Sequence, residues 1–263
     1  MIWPFKKNTQ RNFKELASTG LHDLHAHILW GIDDGPKEPE GSHAMLNALS
    51  ELGYVRVSCT PHCNHSMFPT PQMATITGKL SILEKERGQR SPALLPGAEI
   101  MFGENVIKEI MADSYPRLGA SRTHLLEFGN QPGGVPKGTP DAIFELQVKQ
   151  INIVLAHVER CTDLQRDRAL LDDLITAGAI IQMDAMSLVG KYDRAPKQTA
   201  WTLLEAGIID VVATDLHSPN DLPELEHALQ ILANWSEEEF IRTISTNPSL
   251  ILDGDPGSVE RHE

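Results

Sequence analysis

Short, continuously apolar runs alternate with amphipathic ones along most of the chain. Seven of the apolar runs, 22–28, 55–61, 93–100, 123–128, 152–157, 179–185 and 209–215, are bounded by turn residues and read as buried parallel strands. Helical spacing of the apolar positions predicts helices over 38–52, 71–87, 103–111, 139–150, 162–177, 196–206, 222–233 and 236–245. Met45, Leu46 and Leu49 share one face of the first, and Leu170, Leu171, Leu174 and Ile175 one face of the fifth. Gly53, Gly178 and Gly207 each follow a helical run and precede a strand, where a left-handed helix end suits glycine. Ser236 is placed to cap the last helix. Strict strand–helix alternation implies an α/β fold with parallel pairing and right-handed crossovers, and seven repeats fit a (β/α)7 barrel better than eight.

At 263 residues with no low-complexity linker, the chain reads as one domain over 21–252, with a short extension 1–20 and a loose tail 253–263. A hydrophobic content of 41% is ample for its core. The net charge of −13 argues against nucleic acid or an anionic membrane as partner. Three cysteines (Cys59, Cys63, Cys161) without a framework spacing point to a reduced compartment, hence the cytoplasm. The apolar part of Met1–Lys7 is too short for a signal peptide or a membrane anchor.

Chemistry-bearing residues gather at the ends of the predicted strands. His25 and His27, two apart, project to the same strand face, and Asp215 and His217 repeat that spacing on the last strand. His62 and His157 each end a strand, while Glu99 and Glu127 are carboxylates inside apolar runs, where an unpaired charge costs several kcal/mol. Asp33 and Asp34, in a Gly-flanked loop, are equally eligible by chemistry. Arg160 would stand near the mouth, able to fork onto phosphate oxygens. Cys63 and His65 read as loop residues, His124 as partly exposed, and His22, His43, His227 and His262 as surface or helix positions. The set holds only nitrogen and oxygen donors and is too large for a single ion. That suits two or three catalytic manganese, iron or zinc ions, which about 3.5–4 Å apart can clamp an ester phosphate. Six residues after the three cysteines come His65, Pro69 and Asp167, so no Cys-x5-Arg phosphate loop exists and a cysteine-nucleophile phosphatase is excluded.

Taken in order, these elements resemble the polymerase and histidinol phosphatase (PHP) superfamily, and within it the bacterial manganese-dependent protein-tyrosine phosphatases of capsular and exopolysaccharide loci. The resemblance is carried by Asp23-Leu24-His25-Ala26-His27, Gly31-Ile32-Asp33-Asp34-Gly35, Thr60-Pro61-His62, Gly97-Ala98-Glu99, Leu125-Leu126-Glu127-Phe128, Ala156-His157-Val158-Glu159-Arg160, Asp215-Leu216-His217 and Asn247-Pro248. It implies a distorted (β/α)7 barrel of the PHP type with three metal ions. The ligands it implies are His25, His27, Asp34, His62, Glu99, Glu127, His157, Asp215 and His217, with Asp34 chosen over Asp33. Arg160 matches a phosphate-binding arginine. A second arginine common in the family is missing: Leu222 stands about where it would be, and Arg194 is a candidate substitute.

The activity expected is hydrolysis of phosphotyrosine by a metal-activated hydroxide, with Arg160, Asp215 and His217 in the catalytic group. The expected substrate is a phosphotyrosine protein, in particular the tail of a tyrosine autokinase of capsule or exopolysaccharide synthesis. Alternatives are a phosphoesterase of a small monoester such as histidinol phosphate, and a regulatory binding module that retains a metal site.

Overall fold

The computed structural model describes residues 12–17, 20–120 and 122–261; most of the N-terminal extension and His262 lie outside them. The strands are β1 (Leu21–Ala26), β2 (Tyr54–Cys59), β3 (His62–Cys63), β4 (Ala93–Pro96), β5 (Glu99–Met101), β6 (Thr123–Glu127), β7 (Asn152–Leu155), β8 (Ile180–Asp184) and β9 (Val211–Ala213). They pair in parallel in two sheets, β1-β2-β4 and β3-β5-β6-β7-β8-β9. β3 follows β2 across Thr60-Pro61 and lies just beyond the predicted strand 55–61, and β5 follows β4 across Gly97-Ala98, which breaks the predicted strand 93–100 into two. Proline lacks a ladder donor, which accounts for the first break. A parallel bridge between Ala26 and Leu216 joins β1 to the segment after β9, with His27 N–H donating to Leu216 O at 2.9 Å and Asp215 N–H to His25 O at 2.9 Å. The result is a distorted barrel of seven strand regions, two of them interrupted.

Period-two alternation explains what fills it. Leu125 lies one step below Glu127 on β6, and Ile180 below Gln182 and Asp184 on β8. Both join Leu24, Val154, Val211, Ile251 and Leu252 in a separate apolar cluster. The larger cluster packs the outward strand faces against the surrounding helices. Among the described residues no helix is long and apolar enough to cross a membrane.

The helices follow the predicted periods with informative exceptions. Gly53 has φ 97°, and a Cβ there would meet the Ala17 methyl at 2.6 Å, so glycine is required on both backbone and steric grounds. Ser236 accepts from Glu239 N–H at 3.2 Å, as a cap should. The run expected over 162–177 is broken at Asp167, whose carboxylate caps the second half (Arg168–Thr176) by accepting from Leu170 N–H at 3.0 Å. The last run does not stop at 245. A π-turn over Arg242–Thr246 leads into a further helix, Asn247–Asp253, with Pro248 in its first turn, where a missing N–H costs nothing.

The segment expected to be loose is tied down as far as Arg261. Asn247 exchanges side-chain bonds with the Glu260 backbone, and Arg261 pairs with Asp210 and donates to Ala179 O. His124 and His22 are buried rather than exposed, because both face outward from strands that helices and loops cover; His22 accepts from Arg56 Nε at 3.1 Å. Cys63 likewise belongs to a buried strand, β3, paired with Ile100, and not to a loop.

Candidate metal centre

The C-terminal ends of the strands bring all nine expected positions to one mouth. His25 Nε2, His27 Nε2, Glu99 and Asp215 form a buried group, His27, Asp34, His62 and His217 a second, and His62, Glu99 and Glu127 a third. Shared members make them one continuous cluster. In the first group, Nε2 of His25 and of His27 are 3.2 Å apart, and each lies 3.1–3.4 Å from Glu99 Oε2 and Asp215 Oδ1. Separations of that size suit four donors that share one metal ion, for which metal–imidazole and metal–carboxylate distances are about 2 Å. His157 stands outside these three groups but touches them, with Nε2 2.7 Å from Glu99 Oε1 and 3.9 Å from Glu127 Oε2.

Neighbouring groups fix the imidazoles. His25 Nδ1 faces Gln182 Oε1 at 3.1 Å, His27 Nδ1 faces Asp33 Oδ2 at 2.8 Å, and His217 Nδ1 faces Asp215 O at 2.8 Å. Each acceptor calls for the proton on Nδ1 and leaves Nε2 to a ligand. The choice between adjacent aspartates follows from this. Asp33 is consumed by His27, Gly35 N–H (3.0 Å) and His62 N–H (3.1 Å), whereas Asp34 reaches toward Nε2 of His62 (3.5 Å) and of His217 (3.3 Å). Asp23 has no place in the cluster, but joins β1 to β9 by accepting from Thr214 Oγ1 (2.5 Å) and Thr214 N–H (3.1 Å). His157 and Asp215 hold left-handed backbone, φ 31° and 46°, a strained geometry for residues with side chains and one that persists where the surroundings impose it.

The acidic and basic groups of the cluster also shift one another. Burial opposes protonation of His25, yet Glu99 and Asp215 overcome it and raise its pKa to about 9. At His62 burial is likewise overcome, by Glu127 and Glu99, and the pKa rises to about 10. Burial would raise Glu99 and Asp215, but the surrounding histidines hold both carboxyls well below their usual range. Glu127 moves the other way, raised by burial and by Glu99. Glu99 Oε2, Glu127 Oε1, Asp215 Oδ1 and His62 Nδ1 are nonetheless buried without a well-formed hydrogen bond. Protons are a poor substitute for positive charge here; divalent ions, which require neutral imidazole and ionised carboxylate, satisfy the same atoms. The donor set fits such ions.

The cluster floors a cleft of about 610 Å³. Asp34 and His217 are partly open to it, while Glu99 is only 1% exposed. Arg160 Nη1 donates to Asp215 Oδ2 at 2.6 Å, and its guanidinium lies 4.3 Å above the Tyr192 ring, so the arginine both steadies a candidate ligand and lines the cleft. Among the lining residues without a role in the sequence reading are Lys191, Tyr192 and Phe68, the last stacked on His62 at 5.2 Å. Arg194 is exposed at the start of its helix and does not line the cleft, and Leu222 packs against the core. Lys191, 2.9 Å from Asp221, is the cation that reaches this wall. His65, expected as a bland loop residue, stacks on Phe68 at the rim.

The chain is 27% identical to tyrosine-protein phosphatase YwqE of Bacillus subtilis (strain 168) over 232 residues, spanning 88% of this chain and 91% of that protein. Identity to tyrosine-protein phosphatase CpsB of Streptococcus pneumoniae is also 27%, over 238 residues, spanning 88% and 97%. Among solved structures, one of YwqE and CpsB, metal-dependent tyrosine phosphatases, matches with a TM-score of 0.77 and 26% identity, covering 92% of this chain and 97% of that one. The family model for capsular polysaccharide synthesis, CpsB/CapC, matches residues 21–253, a stretch that contains every residue of the cluster, and the chain belongs to that family.

Proposed function

We propose that the protein is a metal-dependent phosphatase that hydrolyses phosphotyrosine in proteins. The observation that carries the proposal is the compact buried set of His25, His27, Glu99 and Asp215 at the floor of a cleft lined by Arg160. Relatives of the same family named tyrosine-protein phosphatases support the substrate class.

In this reading His25, His27, Glu99 and Asp215 hold one ion. Asp34, His62 and His217 hold a second, and Glu99, Glu127 and His157 a third. Manganese is the expected metal, with iron or zinc as alternatives. When bound, such ions lower the pKa of a coordinated water and place positive charge against phosphoryl oxygens. The residues of the chain do the rest. Arg160 and Lys191 are the two Lys/Arg side chains lining the cleft among the described residues, and both are placed to take phosphoryl oxygens. Phe68, Phe128 and Tyr192 offer apolar surface for the aryl ring. Water oxygen bonds to phosphorus as the bond from phosphorus to the phenolic oxygen breaks, giving inorganic phosphate and tyrosine. A phenol has a pKa near 10, so the leaving oxygen departs without a dedicated acid. The substrate fitting this account is the tail of a tyrosine kinase that controls capsule or exopolysaccharide synthesis. The three buried, unpaired cysteines agree with action in the reducing cytoplasm.

Turnover of a phosphotyrosyl peptide compared with histidinol phosphate tests the substrate class. The account expects kcat/KM for the peptide to be at least about tenfold higher; the reverse preference would identify a small-monoester phosphatase instead. Lys191→Ala is expected to raise KM about fivefold, the scale of one partly exposed charge, with bound metal unchanged. Steady-state kinetics with metal analysis checks this, and an unaltered KM removes Lys191 from phosphate binding.

A further inference from the structure

One wall of the cleft is a loop held far more firmly than its composition suggests. Residues 129–135 connect β6 to the helix Thr139–Val148 and contain three glycines. Asp163 accepts from two backbone groups of the loop, Gly133 N–H on Oδ1 (2.9 Å) and Val135 N–H on Oδ2 (3.0 Å), and Thr162 Oγ1 donates to Asn130 O at 2.6 Å. The loop folds on itself so tightly that a Cβ at position 134 would come within 2.0 Å of Gly129 O. Both anchors lie within three residues of Arg160, so the loop is fixed relative to the side chain that lines the catalytic floor.

Asn130 and Gln131 line the cleft and are exposed, and their side-chain amides make no hydrogen bond to the rest of the protein among the described residues. A primary amide carries a donor and an acceptor, as a peptide group does, and can pair with a neighbouring main chain whatever its sequence. Holding two such groups in place before binding removes the entropy of ordering them.

Resting on the phosphotyrosine reading above, we propose that loop 129–135 is a shelf for the main chain flanking the phosphorylated tyrosine. Asn130 and Gln131 hydrogen-bond the substrate's peptide groups, and Asp163 is the positioning residue that holds the shelf level with the cleft. The shelf distinguishes a phosphorylated protein from a free aryl phosphate of the same leaving group.

The test compares kcat/KM for a phosphotyrosyl hexapeptide with that for phenyl phosphate, in manganese-loaded wild-type protein, in Asp163→Asn, and in the double variant Asn130→Ala/Gln131→Ala. The ratio of peptide to phenyl phosphate is expected to fall about tenfold in both variants, mainly through KM for the peptide. The double variant changes only exposed side chains and keeps the test decisive if Asp163→Asn does not fold. A ratio within about twofold of wild type in the double variant overturns the shelf. Wild-type protein inactive on both probes overturns the phosphotyrosine reading itself, and the shelf with it.

Discussion

Glu99→Gln is expected to lower kcat by about a thousandfold or more and to reduce bound metal, while leaving the barrel folded. The size of the effect follows from position. Glu99 is buried, its Oε1 lies 2.7 Å from His157, and its Oε2 lies 3.3 Å from His25, 3.2 Å from His27 and 2.9 Å from His62. Among the described residues no other carboxylate lies against four imidazoles. The amide is nearly isosteric, but it replaces an anionic oxygen with an N–H₂ that cannot ligate a cation. Metal analysis, circular dichroism and turnover on one preparation separate the outcomes. Normal metal content with normal turnover would remove Glu99 from the site.

Arg160→Ala is expected to cost about a hundred- to a thousandfold in kcat, the usual scale for deleting a pre-positioned donor to developing negative charge. Two losses combine. The phosphoryl group loses a fixed cation, and Asp215 loses a 2.6 Å donor at its Oδ2. Asp184 Oδ2, buried and 3.7 Å from Arg160 Nη1, loses a neighbouring cation as well. Arg160→Lys should recover only part of the activity, because an ammonium cannot serve Asp215 and a phosphoryl oxygen with one rigid fork. Steady-state kinetics of both variants checks this. A pure KM effect in Arg160→Ala, with kcat intact, would limit the arginine to substrate binding.

Most of the fold was legible because the strand runs are short, buried and largely apolar, and each helix is apolar on one face. That contrast locates seven strand regions without any knowledge of their partners. What escaped was decided by single capping or turn residues in three-dimensional context. Asp167 interrupts a helix whose apolar period continues through it, and Pro248 begins a helix where a proline more often signals an end. The barrel's closure through Ala26 and Leu216 has no local sequence signal, since the partners lie 190 residues apart.

The cluster was legible for a different reason. Imidazoles and carboxylates at the ends of apolar runs are costly unless they share a purpose, and the geometry gives all nine a common mouth. The residues that orient them were not legible. Gln182, Asp23 and Thr214 are ordinary polar residues in strand-like runs, and only their distances to His25 and to one another assign them. Chemistry left Asp33 and Asp34 equivalent; the hydrogen bonds separate them, because Asp33 is used up by His27, Gly35 and His62. Lys191 escaped because nothing local marks it: it reaches the cleft only because the segment after β8 folds back beside Asp221. The left-handed backbone of His157 and Asp215 has no sequence signature at all, since that conformation is the province of glycine and asparagine.

The central claim is that this cluster makes the protein a metal-dependent phosphotyrosine phosphatase. Its most direct test is the rate of phosphate release from a phosphotyrosyl peptide by one preparation assayed after chelation, after re-addition of manganese, and after thiol alkylation. The account predicts activity abolished by chelation, restored by manganese and untouched by alkylation. Equal rates in excess chelator and in manganese would contradict it.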